Sequence, residues 1–82
     1  DMKNRNYPIV LGHRFKKGFL ALKRDGDWAL LICRLKKWYK TGERFATTDI
    51  ENVEVELLIC DKGTLETMIS VLQEVSEQLD EG

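Results

Sequence analysis

The sequence predicts an α+β fold: an antiparallel four- or five-stranded sheet followed by one C-terminal amphipathic helix packed on one face. Three observations point there. Apolar residues alternate with period two from Tyr7 to Phe15 and again from Val53 to Cys60, as in strands with one buried side. Asp25-Gly26 separates two apolar runs, and both residue types tolerate the positive φ of a tight hairpin. After Gly63 the apolar period lengthens to about 3.6, that of a helix.

In chain order, Tyr7, Ile9, Leu11, His13 and Phe15 share one side of a first strand, and Pro8 favours a strand start or a sheet edge. Lys16 to Gly18 reads as a connection, and Phe19 to Arg24 as the first arm of the Asp25-Gly26 hairpin. Trp28 to Leu35 is apolar on both sides of the pleat, the pattern of a strand covered on both faces. One helix cannot cover both, so a second copy or a curved sheet is expected to complete the cover. Phe45 to Thr48 reads as a short strand or extended connection, and 49–52 as a loop. Val53, Val55, Leu57 and Ile59 are expected to face inward, with Glu54 and Glu56 pairing to the basic strands. Leu65, Met68, Ile69, Leu72, Val75 and Leu79 form one helical stripe, with Thr64 as the expected cap and the helix as a lid across the sheet. Residues 1–6 and 80–82 are expected to fray.

A chain of 82 residues is short for two cores, so one domain over 1–82 is expected. With 43% hydrophobic and 33% charged residues it is too apolar for disorder and too charged for a membrane interior. The longest apolar run, Trp28 to Cys33, is far below the roughly 20 residues of a membrane span. No signal-peptide pattern follows the N-terminus, where Asp1 before Met2 reads as a remnant of expression, and a cytoplasmic location is the expectation.

The formal charge of −1 hides an asymmetry. Residues 1–44 hold twelve Lys or Arg against four Asp or Glu, a balance of +8, and residues 45–82 hold one Lys against ten, a balance of −9. Catalytic chemistry finds little purchase here. One histidine and two separated cysteines do not make a zinc site. Cys33 and Cys60 lie in apolar runs and read as small buried hydrophobes without a disulfide, and His13 reads as a residue at the edge of the core. Asp25 and Asp27 are explained by the turn, and Lys40-Thr41-Gly42-Glu43 lacks the order of a phosphate-binding loop. No catalytic residue, metal or cofactor is expected.

One constellation stands out. Lys16 and Lys17 lie at one end of the early sheet, and Arg34, Lys36, Lys37, Trp38, Tyr39, Lys40 and Arg44 follow the third strand. Cations among flat rings are what single-stranded nucleic acids require, pairing with phosphates and stacking on bases. On a strand that stayed regular, Arg34, Lys36, Trp38 and Lys40 would share one side. The strand-strand-strand-strand-helix order with this basic and aromatic sheet resembles the transcriptional-coactivator-like single-stranded DNA-binding domains. The resemblance implies a dimer formed through helices with the 34–44 region near the ligand, while Glu54 and Glu56 depart from a uniformly basic surface. Two functions follow as expectations: a small non-enzymatic protein-interaction or regulatory module, as a homodimer or with a protein partner, and alternatively a single-stranded nucleic-acid-binding module. No membrane association is expected.

Overall fold

Strands β1 (Ile9–Gly12), β2 (Lys17–Arg24), β3 (Asp27–Leu35) and β4 (Ile50–Ile59) form one antiparallel sheet in the order β1-β2-β3-β4, followed by helix α1 (Lys62–Gln78). The computed structural model describes residues 7–12 and 16–79. His13 and Phe15 of the expected first strand, and the termini expected to fray, lie outside the described residues.

The β2–β3 hairpin turns at Asp25 and Gly26, whose φ angles of 53° and 89° are both positive, the requirement of a type I′ turn. Arg24 and Asp27 close it as a cross-strand pair. Residues paired across the ladder share a face, and this separates two surfaces. Gly18 opposite Cys33, Leu20 opposite Leu31 and Leu22 opposite Ala29 lie on the first. With Val10, Leu35 and Phe45 they build the core, in which Ala29, Cys33 and Leu35 are fully buried. The second face carries the rows Phe19, Ile32, Val55 and Ala21, Leu30, Leu57, ending at Lys23, Trp28, Ile59. It is nearly as apolar as the first, yet most of it is only half-buried.

The chain between β3 and β4 closes the core. It runs along the outer edge of β1, where the Val10 N–H donates to the Glu43 carbonyl at 2.8 Å, Gly42 N–H to Val10 at 2.8 Å and Phe45 N–H to Pro8 at 3.0 Å. Among the described residues its strand pairing is the bridge from Ile9 to Arg44, and a 3-10 turn at Thr47–Asp49 leads into β4. Of the two readings of Phe45 to Thr48, short strand or extended connection, the structure shows a connection bound along the sheet edge. The expected loop at 49–52 is mostly strand, because Ile50 already pairs with Leu35.

Two further expectations change. The register of β4 shifts opposite Ile32 and Cys33, so that the partners skip from Val55 to Val53. An extra residue of this kind breaks the alternation, so Val53 pairs with Cys33 on one face while Val55 and Leu57 pair with Ile32 and Leu30 on the other; all three are exposed, and Ile59 alone of the four is buried. The helix does not act as a lid within one chain. None of its residues is buried, it makes substantial contact only with β4, and exposure rises from 37% at Leu65 to 66% at Leu79. It starts beside Trp28 and Ile59 and then diverges from the sheet.

The cap is Asp61, which accepts the Thr64 N–H at 2.7 Å and the Thr64 hydroxyl at 3.0 Å. Thr64 is its partner and not, as expected, the cap itself. The Thr64 N–H, before any other cause, holds the Asp61 carboxyl below its ordinary pKa, so the cap is present above the unfolded carboxylate range of about 4 and is lost as pH falls through the folded value. Asp61→Ala is expected to accelerate hydrogen exchange at the Thr64 amide without affecting the β2–β3 amides, and Asp61→Ser to restore most of the protection.

Candidate interaction surfaces

The basic and aromatic residues divide into those the fold neutralises and those it leaves free. Because β3 ends at Leu35, where the Lys36 N–H turns to the Asp49 carbonyl at 2.7 Å, Arg34, Lys36, Trp38 and Lys40 do not form one row. Glu54 and Glu56 do pair with the basic strands, as their positions predicted: Lys17 binds Glu54, and Arg24 binds Glu56. Arg34 lies 3.8 Å from the Glu51 carboxylate and Lys37 lies 3.6 Å from that of Asp49. The acidic edge strand thus cancels much of the charge carried by β2 and β3.

Tyr39 serves the loop. Its hydroxyl donates to the Asp49 carboxylate and accepts the Ala46 N–H at 3.3 Å, and its ring meets Phe45 edge-on at 6.4 Å. The Tyr39 hydrogen bond, with Lys37 assisting, lowers the Asp49 pKa. Trp38 is different: 58% exposed, with the Lys16 ammonium 5.2 Å from its ring centroid. Lys36, Lys40 and Arg44 are exposed and form no ion pair among the described residues. The structure brings together Lys16 and Trp38 from the predicted set, and gives Lys17, Arg34, Lys37 and Tyr39 intramolecular partners.

Sequence reasoning expected a second apolar sheet face in need of cover, but placed β4 and the helical stripe inside the monomer's core. Leu57 and Val55 on β4, and Ile69, Leu72, Val75 and Leu79 on α1, are all exposed by two-fifths or more. Alternation and helical period identified these positions as apolar, but assigned them to one intramolecular core. The available signal was the width of the helical stripe: Val71 extends it sideways, and the carboxylates Glu66, Glu74 and Glu77 lie elsewhere. A broad stripe calls for a broad partner.

The cysteines do not form a reactive centre. Cys33 is buried, donates to the Gly18 carbonyl at 3.5 Å, and has its thiol pKa raised by burial and then by Glu54. Cys60, expected to be buried, is exposed because it lies just beyond β4, and Asp27 beside it at 3.6 Å raises its pKa chiefly through charge. Alkylation with iodoacetamide near pH 8 is expected to be confined to Cys60 and slower than for a free thiol, with Asp27→Asn accelerating it. Among the described residues no His, Cys, Asp and Glu cluster could hold a metal ion, and no helix is long and apolar enough to cross a membrane. No family model, curated protein or solved structure matches the chain.

Proposed function

We propose that this chain is a non-enzymatic protein-interaction module whose contact surface is the apolar side of α1 and the adjoining apolar face of the sheet. The observation that carries the reading is the exposure of the helical stripe, 62% at Leu72 and 66% at Leu79, in a helix without a buried residue. An isolated helix of this length is marginal in water, and packing of its apolar face normally supplies its stability. Apolar surface of this extent marks an interaction site. The test is site-specific photocrosslinking in cells from position 72, with position 70 on the polar side as control. Cross-links to polypeptide from 72 alone support the module; nucleic-acid cross-links from a probe at 40, with no polypeptide reached from 72, overturn it.

A second reading rests on Trp38. An exposed indole with a lysine over its face, near in sequence to Lys36, Lys40 and Arg44, which are exposed and form no ion pair among the described residues, suits single-stranded nucleic acid. Binding of labelled DNA or RNA that weakens steeply between about 50 and 200 mM salt, and is lost in Trp38→Ala, is its signature. Binding indifferent to both changes removes it.

A further inference from the structure

The apolar helix and the apolar sheet face are complementary defects. A sheet with two apolar faces requires two covering layers, and the β3–β4 chain covers only the first, through Phe45 against Gly18 and Leu35. No strand or helix among the described residues packs across the face that bears Leu30, Leu57 and Val55. The helix, conversely, has a stripe that matches a sheet and no sheet beneath it. Resting on the protein-interaction reading, we infer that the partner is a second copy of this chain, with α1 of each copy laid across the exposed sheet face of the other.

Three features of the chain favour this occupant. The first is self-complementarity: a two-fold axis makes each contact occur twice, helix on sheet and sheet on helix, and leaves neither apolar surface open. The second is charge. The outer side of α1 is acidic, with Glu66, Glu74 and Glu77 off the stripe, so no carboxylate is driven into the contact. The margin of the sheet face carries Lys23, whose ammonium lies 5.6 Å from the Trp28 ring centroid and which has no carboxylate partner among the described residues. The third is size. A helix of this length is about 25 Å long and 10 Å across, so two reciprocal contacts bury on the order of 1,000 Å², the threshold for a biological interface. The contact begins where α1 leaves its own sheet at Trp28, Ile59 and Leu65, which places the departing helix at the edge where a neighbouring copy would receive it.

The experiment is sedimentation velocity on the full chain at about 50 µM, with Leu72→Glu in the helix and Leu57→Glu on the sheet, circular dichroism verifying that each variant is folded. Leu72→Gln and Leu57→Thr replace any glutamate variant that does not fold. The unmodified chain is expected to sediment as a dimer, and each glutamate to weaken association by at least about a hundredfold. A monomeric unmodified chain overturns the inference, and cross-links from position 72 to a different polypeptide then leave the protein-interaction reading standing. A dimer dissociated by Leu72→Glu but indifferent to Leu57→Glu also overturns it, since the helices then pair with each other.

Discussion

Phe45→Ala is expected to cost about 3–5 kcal/mol, the usual penalty for emptying a buried aromatic site. The ring is 4% exposed and sits over Gly18 and against Leu35, where the chain between β3 and β4 crosses the core. An 82-residue protein has a total stability of about 4–12 kcal/mol, so this one substitution removes a large share of it. Urea denaturation followed by tryptophan fluorescence is the measurement. The midpoint should fall steeply, or the native baseline disappear, whereas Tyr39→Phe, which retains the ring and loses the Asp49 hydrogen bond, should shift it far less. A midpoint for Phe45→Ala close to that of the unmodified chain would mean that the 42–45 segment does not hold the core closed.

Gly18→Val is the complementary change, overfilling the same place. A Cβ at Gly18 would lie 2.6 and 2.8 Å from two ring atoms of Phe45 and 3.1 Å from Leu35. All three belong to buried side chains in the central cluster, so the ring cannot swing clear without displacing its neighbours. Overpacking of this kind costs about 1–3 kcal/mol, and a branched residue lies at the upper end. A double-mutant cycle separates this crowding from a backbone effect of losing glycine. Gly18→Ala combined with Phe45→Leu should be less destabilising than the sum of the single changes by at least about 0.5 kcal/mol, since the smaller side chain makes room for the methyl group. Strict additivity would place the cost in the β2 backbone.

The parts of this fold that sequence made legible are those set by neighbouring residues. Asp25-Gly26 announced its hairpin because the turn needs two consecutive positive φ angles, and both residues adopt them. The helix was legible from Leu65 to Leu79 for the same local reason, although Asp61 and not Thr64 proved to be its cap. What escaped depends on distant contacts. Nothing in Val53-Glu54-Val55 signals the register shift opposite Ile32 and Cys33, which puts Val53 and Val55 on opposite faces. The end of β3 at Leu35 depends on Asp49, fourteen residues onward, capturing the Lys36 amide, and so the expected row of cations around Trp38 dissolved. The sequence asymmetry of charge was real, but β4 returns its carboxylates to Lys17, Arg24 and Arg34. An amphipathic stripe, finally, records that a helix needs an apolar neighbour without recording which molecule provides it.

The position of β4 has a consequence for how this chain survives at high concentration. Among the described residues it is the longest strand, at ten residues, and it stands at the rim of the sheet with no described strand paired to its outer side. An open rim bearing valine and leucine is a template onto which extended polypeptide can add, the first step towards fibrils. Glu51, Glu54 and Glu56 stud this rim, and charges along an unpaired strand are the common deterrent to such growth. The carboxylates that draw the basic strands together therefore also guard the open side of the molecule.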